Sequence, residues 1–197
     1  MPDTRERWRS RLPHWEVAHR PHFVTIRCAG SLPEIVLVRV REIHANLRAI
    51  TPASPRFALL QRQYFLTCEK YLDQCEGFAP FHTPAACSVV LTAWNQIETV
   101  TGWHVPHFVV MPNHVHFLLM PVAATPERLR APVRWLKGHV ARKANLLLGR
   151  GGAFWQTDWF DRWVRDAAEE ARIIDYIQQN PVKAGLVRDW HEYRWVK

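Results

Sequence analysis

The chain has 197 residues, 48% of them hydrophobic, and a formal net charge of +8. This composition argues against intrinsic disorder, and no apolar run approaches the roughly 20 residues of a membrane span, so the sequence excludes an integral membrane protein. The first residues show no apolar segment of the kind found in secretory signals, so we expect a cytoplasmic protein.

The first half of the chain is predicted to hold one strand and three helices. Residues 1–20 are rich in arginine and aperiodic, which is typical of a mobile basic arm. Alternating β-branched residues predict a strand at His22–Cys28. Apolar residues at helical spacing predict three helices, which we place at Ile35–Ile50, Arg56–Cys75 and Pro84–Thr101.

The second half is predicted to continue with two strands, a helix, a strand and a final helix. Their predicted ranges are Trp103–Met111, Val115–Met120, Pro132–Leu148, Phe154–Phe160 and Asp166–Asn180. The final helix opens on a D-x-x-E pattern that resembles a capping box. It is predicted to end before Pro181, because proline disfavours the helical conformation of the residue preceding it.

The order of these elements is β-α-β-β-α-β followed by a helix. This order matches a ferredoxin-like split βαβ fold of the α+β class, an antiparallel sheet with helices packed on it. The additional predicted helices at about residues 52–101 indicate a helical insertion. We therefore expect a single domain over residues 1–197, with a basic N-terminal arm at residues 1–20.

The positive charge is concentrated in two segments. Residues 126–150 contain seven Lys or Arg residues and one acidic residue, and residues 1–20 contain five arginines and three acidic residues. The remainder carries 14 basic and 14 acidic residues and is neutral. A localised basic surface points to a polyanion, most often a nucleic acid, and the alternative is a helix whose basic face is simply solvated.

The sharpest local feature is the pair His114 and His116 in a predicted strand. Residues two apart on a strand point to the same face, so the two imidazoles lie side by side and could share a metal ion. The alternative is a pair of half-buried core histidines. Spacing alone favours that alternative, because the chain has 11 histidines.

Tyr176 and Asn180 are four residues apart in the last predicted helix and therefore share one of its faces. An amide oxygen could complete a metal site, and a tyrosine hydroxyl can act as a nucleophile in covalent catalysis. Spacing alone again favours the structural alternative, a core tyrosine and an asparagine that caps the helix before proline.

Residues 154–163 contain five aromatic side chains. Aromatic rings can stack on unpaired bases, but they more often fill a core, and we expect most of these to do so. Arg162 in the same segment could contact a ligand or pair with neighbouring acidic residues.

Seven segments, taken together, carry more information than any one of them. They are Val110–His116, Lys137–His139, Asn145–Gly149, Phe154–Gln156, Phe160–Arg162, Tyr176–Ile177 and Asn180–Val187. In identity, order and spacing they resemble the REP-associated tyrosine transposases, part of the single-tyrosine HUH transposase superfamily. The resemblance covers about residues 20–190.

The resemblance implies metal-assisted cleavage of single-stranded DNA. It makes His114 and His116 the HUH histidines, places Asn180 where relatives have a third metal ligand, and matches Tyr176 to the nucleophile. The implied cofactor is Mg²⁺ or Mn²⁺. The implied products are a 5′-phosphotyrosine and a free 3′-OH, from which strands can be rejoined without ATP. No general base for the tyrosine is recognisable in the sequence.

The resemblance also implies a DNA partner, a hairpin-forming palindrome with a nearby single-stranded tag, in the bacterial cytoplasm. Candidate DNA contacts are Arg134, Lys137, His139, Arg142, Lys143, Arg162 and Lys183, together with Arg5, Arg7, Arg9 and Arg11 of the arm. Relatives include monomers and homodimers, and the sequence favours neither.

Two other functions stay open at this point. One is a DNA hairpin-binding protein in which catalysis is vestigial or unused. The other is a metal phosphodiesterase that uses water as its nucleophile, with Tyr176 in a structural role.

Overall fold

The computed structural model describes residues 3–9, 12–51, 54–122, 126 and 128–197. Within them the chain forms a five-stranded antiparallel sheet, a separate two-stranded hairpin and five α-helices. The strands are β1 (Thr4–Arg9), β2 (Pro13–Val17), β3 (His22–Arg27), β4 (Trp103–His104), β5 (Phe108–Met111), β6 (His114–Pro121) and β7 (Phe160–Trp163). The helices are α1 (Glu34–Ala49), α2 (Pro55–Leu72), α3 (Pro84–Thr101), α4 (Arg130–Leu147) and α5 (Ala167–Lys183).

The sheet has the strand order of a ferredoxin-like fold, as the sequence predicts. Strand β6 pairs with β3 on one side and with both β4 and β5 on the other, and β3 pairs with β7 at the far edge. All of these pairings are antiparallel. The predicted strand Trp103–Met111 is divided into β4 and β5 around Pro106, a residue that has no N–H to donate to a ladder.

The two faces of the sheet carry different layers. One face packs on α3 and α4 and forms the main core, through side chains such as Phe117. The opposite face packs on α5 and, through Phe23, on Phe65 of α2. Because side chains alternate along a strand, His114 and His116 project from this second face. Among the described residues, no helix combines the length and the hydropathy needed to cross a lipid bilayer.

The helices between β3 and β4 divide into two groups. Helix α3 packs on α4 beneath the sheet, in the position of a βαβ crossover helix. Helices α1 and α2 pack on each other around a second apolar cluster that includes Val40 and Leu60. The predicted insertion at about residues 52–101 includes α2 and α3 but not α1, and its first residue lies outside the described part of the chain. We propose that α1 and α2 are the addition to the split βαβ core.

The prediction of a mobile N-terminal arm is wrong for the described residues, because they form the antiparallel hairpin β1–β2. Two of the three buried positions of β2, His14 and Glu16, hold polar side chains, so no period-two apolar pattern marks the hairpin in the sequence. Glu16 is fully buried, accepts a hydrogen bond from the Leu129 backbone N–H at 2.8 Å and pairs with Arg5 at 3.1 Å. The hydrogen bond from Leu129 attaches the hairpin to the start of α4, and the pair with Arg5 links its two strands.

Two predicted boundaries near the C-terminus also differ from the structure. Helix α5 runs through Pro181 to Lys183, closed by a hydrogen bond from Leu186 N–H to the Pro181 carbonyl and by the left-handed Gly185. The predicted strand Phe154–Phe160 is instead displaced to β7, because the side chains of residues 154, 155 and 159 turn into the main core.

Candidate metal centre and nucleophile

Strand β6 places the two predicted histidines side by side. In its register with β3, His114 lies opposite Arg27 and His116 opposite Thr25. Both histidines are completely buried, and their ring centroids lie 4.6 Å apart. The sequence-based expectation that they share one face of a strand is therefore met.

Each imidazole is oriented through its Nδ1 atom. His114 Nδ1 donates to the amide oxygen of Asn113 at 2.7 Å, and His116 Nδ1 lies 2.8 Å from the Thr25 hydroxyl. The Nε2 atom of each ring then points into the site. Burial and the neighbouring His116 lower the pKa of His114 to about 3, so its ring is neutral at physiological pH, the state that binds a metal ion.

Glu69 of α2 completes a three-residue cluster with the histidines, and the sequence reasoning missed it. The ligand atoms of Glu69, His114 and His116 all lie within 4.8 Å of one another, and His116 Nε2 is 3.3 Å from Glu69 Oε2. Burial alone would raise the pKa of Glu69. The charge and hydrogen bond of His116 outweigh burial and lower it to about 2, so the carboxylate is ionised.

Tyr176 lies directly beside this cluster. Its hydroxyl donates a hydrogen bond to the Glu69 carboxylate, and its ring centroid is 5.4 Å from that of His116. Burial, followed by the charge of Glu69 and the hydrogen bond to it, raises the pKa of Tyr176 well above its ordinary value, so the hydroxyl is protonated. The helix that carries Tyr176 therefore packs on the sheet face from which the two histidines project.

Asn180 and Lys183 follow Tyr176 on the same helix. Asn180 is completely buried and lies close enough to His114 and Tyr176 to influence the pKa of both. Neither its amide oxygen nor its nitrogen forms a hydrogen bond of regular geometry within the described residues. Lys183 Nζ pairs with Asp73 at 2.7 Å and lies 5.8 Å from the Tyr176 ring centroid.

The donor set fits a divalent metal ion. Among the described residues, the buried atoms without a hydrogen-bond partner include His114 Nε2, His116 Nε2, Glu69 Oε1 and Asn180 Oδ1. Buried polar atoms are normally paired, so several polar atoms without a regular hydrogen bond around one cluster indicate a place for a cation. Imidazole nitrogens and oxygens together suit Mn²⁺ and tolerate Mg²⁺.

The predicted DNA contacts on α4 lie away from this centre. Arg134, Arg142 and Lys143 are exposed, but α4 covers the sheet face opposite to His114 and His116. His139 stacks on Trp135 of the same helix at 4.8 Å between ring centroids. The structure therefore separates the basic helix from the metal centre by the thickness of the sheet.

Lys137, which the sequence places with these residues, is held within the fold. Its Nζ donates to the backbone carbonyls of Gln156 and Thr157 at 2.8 and 2.7 Å and lies 5.5 Å from the Trp159 ring centroid. Burial lowers the pKa of Lys137 to about 8. These contacts give Lys137 a structural role at the segment that leads into β7.

The remaining predicted arginines take separate positions. Arg162 pairs with Glu169 at 2.5 Å on the same side of the sheet as Tyr176. Arg5 pairs with Glu16, and Arg7 covers the Trp15 ring at 4.1 Å. The side chain of Arg9 and the whole of Arg11 lie outside the described residues.

Comparison with known proteins gives one sequence relative and two solved structures to report. No family model matches the chain. The chain is 27% identical to a Haemophilus influenzae protein provisionally named a REP-associated tyrosine transposase. The alignment covers 61% of this chain and 61% of that protein, so the chain spans less than two thirds of the relative.

The first of the two solved structures is of a REP-associated tyrosine transposase bound to a REP hairpin. It matches with a TM-score of 0.57 and 15% identity, covering 95% of this chain and 82% of that one. The second, from Deinococcus radiodurans and provisionally described as a transposase, matches with a TM-score of 0.36 and 17% identity. It covers 81% of this chain and 89% of that one, and the similarity is too weak to support an argument.

The first structural match agrees with the observed α+β fold, and the sequence match is to a protein named for the same family. Together they confirm that this chain resembles the REP-associated tyrosine transposases.

Proposed function

We propose that the protein nicks and joins single-stranded DNA at hairpin-forming palindromes, through a 5′-phosphotyrosine formed at Tyr176. The observation that carries this proposal is the contact between the Tyr176 hydroxyl and the buried Glu69–His114–His116 cluster. The solved relative bound to a REP hairpin supports a hairpin as the DNA partner.

In this proposal His114, His116 and Glu69 hold a Mg²⁺ or Mn²⁺ ion, and Asn180 supplies a further oxygen. A divalent ion at such a centre would polarise the scissile phosphate. The residues themselves prepare the site in two ways. Asn113 and Thr25 orient the imidazoles through their Nδ1 atoms, and the sheet and α2 exclude water from the ligand side.

The reaction is a transesterification. The Tyr176 oxygen forms a bond to phosphorus, the bond from phosphorus to the 3′ oxygen breaks, and that oxygen leaves as a 3′-OH after taking a proton. The hydrogen bond that the Tyr176 hydroxyl donates to Glu69 orients the tyrosine oxygen for attack. Because the pKa of Glu69 is about 2 and that of Tyr176 lies well above its ordinary value, the proton does not rest on Glu69. The tyrosine proton is released as the bond to phosphorus forms, and the departing 3′ oxygen takes up one proton, so the step balances. Attack of a 3′-OH on the phosphotyrosine reverses the transesterification, which joins the two strands and releases Tyr176.

The proposed DNA contacts fall into two groups. Lys183 and Arg162 lie on the Tyr176 side of the sheet, which supports the proposal that they contact phosphates near the scissile bond. The exposed Arg134, Arg142 and Lys143 of α4 are proposed to contact the backbone of the hairpin stem. His139, which is half-buried on the same helix, is a further candidate.

The test is incubation of the protein with a labelled hairpin that carries a single-stranded tag, in the presence of Mn²⁺, followed by denaturing electrophoresis. The proposal predicts a denaturation-resistant adduct that wild type forms and Tyr176→Phe does not. Cleavage that survives Tyr176→Phe would instead favour the water-dependent phosphodiesterase. Tight hairpin binding without any cleavage would favour the binding protein.

A further inference from the structure

A cleft of about 810 Å³ opens between the β1–β2 hairpin, α2, β7 and α5, and it leads to Tyr176. Tyr176 of α5 and Trp15 of the hairpin both line it. The cleft therefore connects the nucleophile to a surface that the hairpin and the α1–α2 addition create together.

The lining combines aromatic rings with arginines. Trp15 and Trp163 meet edge to face at 5.7 Å between centroids, and Phe65 packs between Phe160 and Tyr176 at 4.9 and 5.8 Å. Trp15, Trp163 and Phe65 are each only half-buried, so part of each ring is open to the cleft. Exposed aromatic rings in a concave, positively charged site are the features that bind unstacked bases.

The arginines of the cleft leave it with a positive charge. Arg162 and Arg165 pair with Glu169, which neutralises part of their charge. Arg62 of α2 and Arg172 of α5 are exposed, and neither forms an ion pair with any described residue. These two side chains line the cleft from two different helices, α2 and α5, and could make two separate contacts to a phosphate backbone.

We propose that this cleft holds the unpaired nucleotides next to the scissile phosphate, with their bases stacked on its aromatic rings. The proposal rests on the proposed function and specifies which part of the DNA lies on which surface. Base faces inside a duplex are stacked on each other and cannot reach the rings, so the occupant is a single strand. The stem then lies elsewhere, and the exposed arginines of α4 are its proposed contacts.

The first experiment measures binding without chemistry. The probe is an oligothymidine of about eight nucleotides in EDTA, a length within the range of known single-strand sites. The double variant Arg62→Ala with Arg172→Ala is expected to bind about tenfold more weakly. The slope of log affinity against log salt concentration should flatten by about 0.7 for each arginine.

The matched control is the double variant Arg134→Ala with Arg142→Ala on α4. It removes the same number of exposed arginines from the other face of the sheet, so we expect wild-type affinity and slope for oligothymidine. If the cleft variant binds like wild type, or the two variants lose affinity equally, the cleft is not the single-strand site.

The second experiment locates the bases directly. Oligothymidine with 5-iodouracil at single positions is irradiated in the complex, and the crosslinked peptides are sequenced by mass spectrometry. Crosslinks to Trp15, Trp163 or Phe65 are expected. Crosslinks confined to α4 would overturn the inference.

The two proposals fail in distinguishable ways. If adducts form at Tyr176 while crosslinks and binding losses map outside the cleft, the inference is wrong and the proposed chemistry stands. If crosslinks map to the cleft and no adduct forms with any divalent metal ion, the cleft is a single-strand site on a protein without the proposed chemistry.

Discussion

The Glu69 carboxylate contacts both the Tyr176 hydroxyl and His116, so a single side chain links the proposed nucleophile to the candidate metal ligands. Burying an ionised carboxylate is costly unless charged or hydrogen-bonding partners compensate for the lost water. Here two partners do so on Oε2, while Oε1 has no hydrogen-bond partner among the described residues. This arrangement leaves one carboxylate oxygen for a cation.

We predict that Glu69→Gln weakens Mn²⁺ binding by at least about tenfold, because it removes the negative ligand while keeping the side-chain volume. Isothermal titration calorimetry measures the affinity. Glu42→Gln on the exposed surface of α1 is the matched control and should bind Mn²⁺ like wild type. Equal affinity of Glu69→Gln and wild type would remove Glu69 from the metal centre.

His14 forms a second buried charged cluster, on the N-terminal hairpin. It contacts Asp161 through Nδ1 and Asp158 through Nε2 at 3.1 Å, and its ring packs between Trp8 and Trp159. Burial alone would lower the pKa of His14, but the charge of Asp161 and hydrogen bonds to both carboxylates raise it to about 9. A charged histidine therefore fastens the hairpin to the sheet at neutral pH.

This raised pKa predicts a pH-dependent stability. The folded protein binds the His14 proton more tightly than the unfolded chain does. The contribution of the charged His14 to the free energy of unfolding is therefore complete below about pH 6.5 and is lost as the pH rises through about 9. When unfolding in urea is measured at pH 6.5 and at pH 9, the free energy of unfolding should fall more for wild type than for His14→Gln, by on the order of 2 kcal/mol. Lys137 titrates in both proteins, so its effect cancels in the comparison. Identical pH profiles would contradict the assignment.

At the scale of elements, α4 has one side that holds the fold and another that faces solvent. Lys137 lies on the first side and donates to two carbonyls before β7, whereas Arg142 lies on the second. The same type of charge therefore has different consequences at positions five residues apart. Spacing on a helix assigns a residue to a face but does not show what that face meets.

We predict that Lys137→Ala lowers the free energy of unfolding by about 1–3 kcal/mol, because it leaves two carbonyls without their donor. Arg142→Ala should change it by less than about 0.5 kcal/mol. Urea denaturation followed by tryptophan fluorescence measures both values. A Lys137→Ala protein as stable as Arg142→Ala would mean that the lysine is free for a DNA contact.

Helix α5 places Tyr176 and Asn180 on one face toward β6, as their spacing predicts. Its last turn continues through Pro181 because Ala184 N–H still bonds to the Asn180 carbonyl and Leu186 N–H to the Pro181 carbonyl. Proline disfavours the helical conformation of the residue that precedes it, but this is only a bias, and the terminal hydrogen bonds overcome it here. The extra turn brings Lys183 near the tyrosine ring.

At the scale of the whole molecule, the sequence was sufficient to predict those features that depend only on the local geometry of a strand or helix or on the order of the elements. The His-x-His pair needs only the alternation of a strand, and the Tyr176–Asn180 pair needs only the helical repeat. The order of elements was likewise enough for the ferredoxin-like sheet, because only a few topologies connect such elements. These parts of the fold and site could be read from the sequence.

Glu69 could not be placed from the sequence, because its contact with Tyr176 joins residues 107 positions apart. The available signal is a single carboxylate at the edge of the apolar stripe of α2, between the buried Cys68 and Leu72. The N-terminal hairpin could not be predicted because two of its buried positions, His14 and Glu16, carry charges, and the partners of His14, Asp158 and Asp161, lie far along the chain.

The sheet also separates two proposed DNA surfaces. The proposed single-strand cleft and the candidate metal centre lie on the α2 and α5 face, and the exposed arginines of α4 lie on the other. A hairpin with a single-stranded tag could contact both only by passing around an edge of the sheet. The β1–β2 hairpin borders that path, since it contacts both β7 and the start of α4.

The central claim is that Tyr176 forms the covalent bond to DNA, and peptide mass spectrometry of the adduct tests it most directly. The chain has four tyrosines, Tyr64, Tyr71, Tyr176 and Tyr193, so the modified peptide identifies the nucleophile without ambiguity. After incubation with a tagged hairpin and Mn²⁺, the account predicts a 5′-linked nucleotide on the peptide containing Tyr176. A nucleotide on any other tyrosine, or cleaved DNA with no modified peptide, would contradict it.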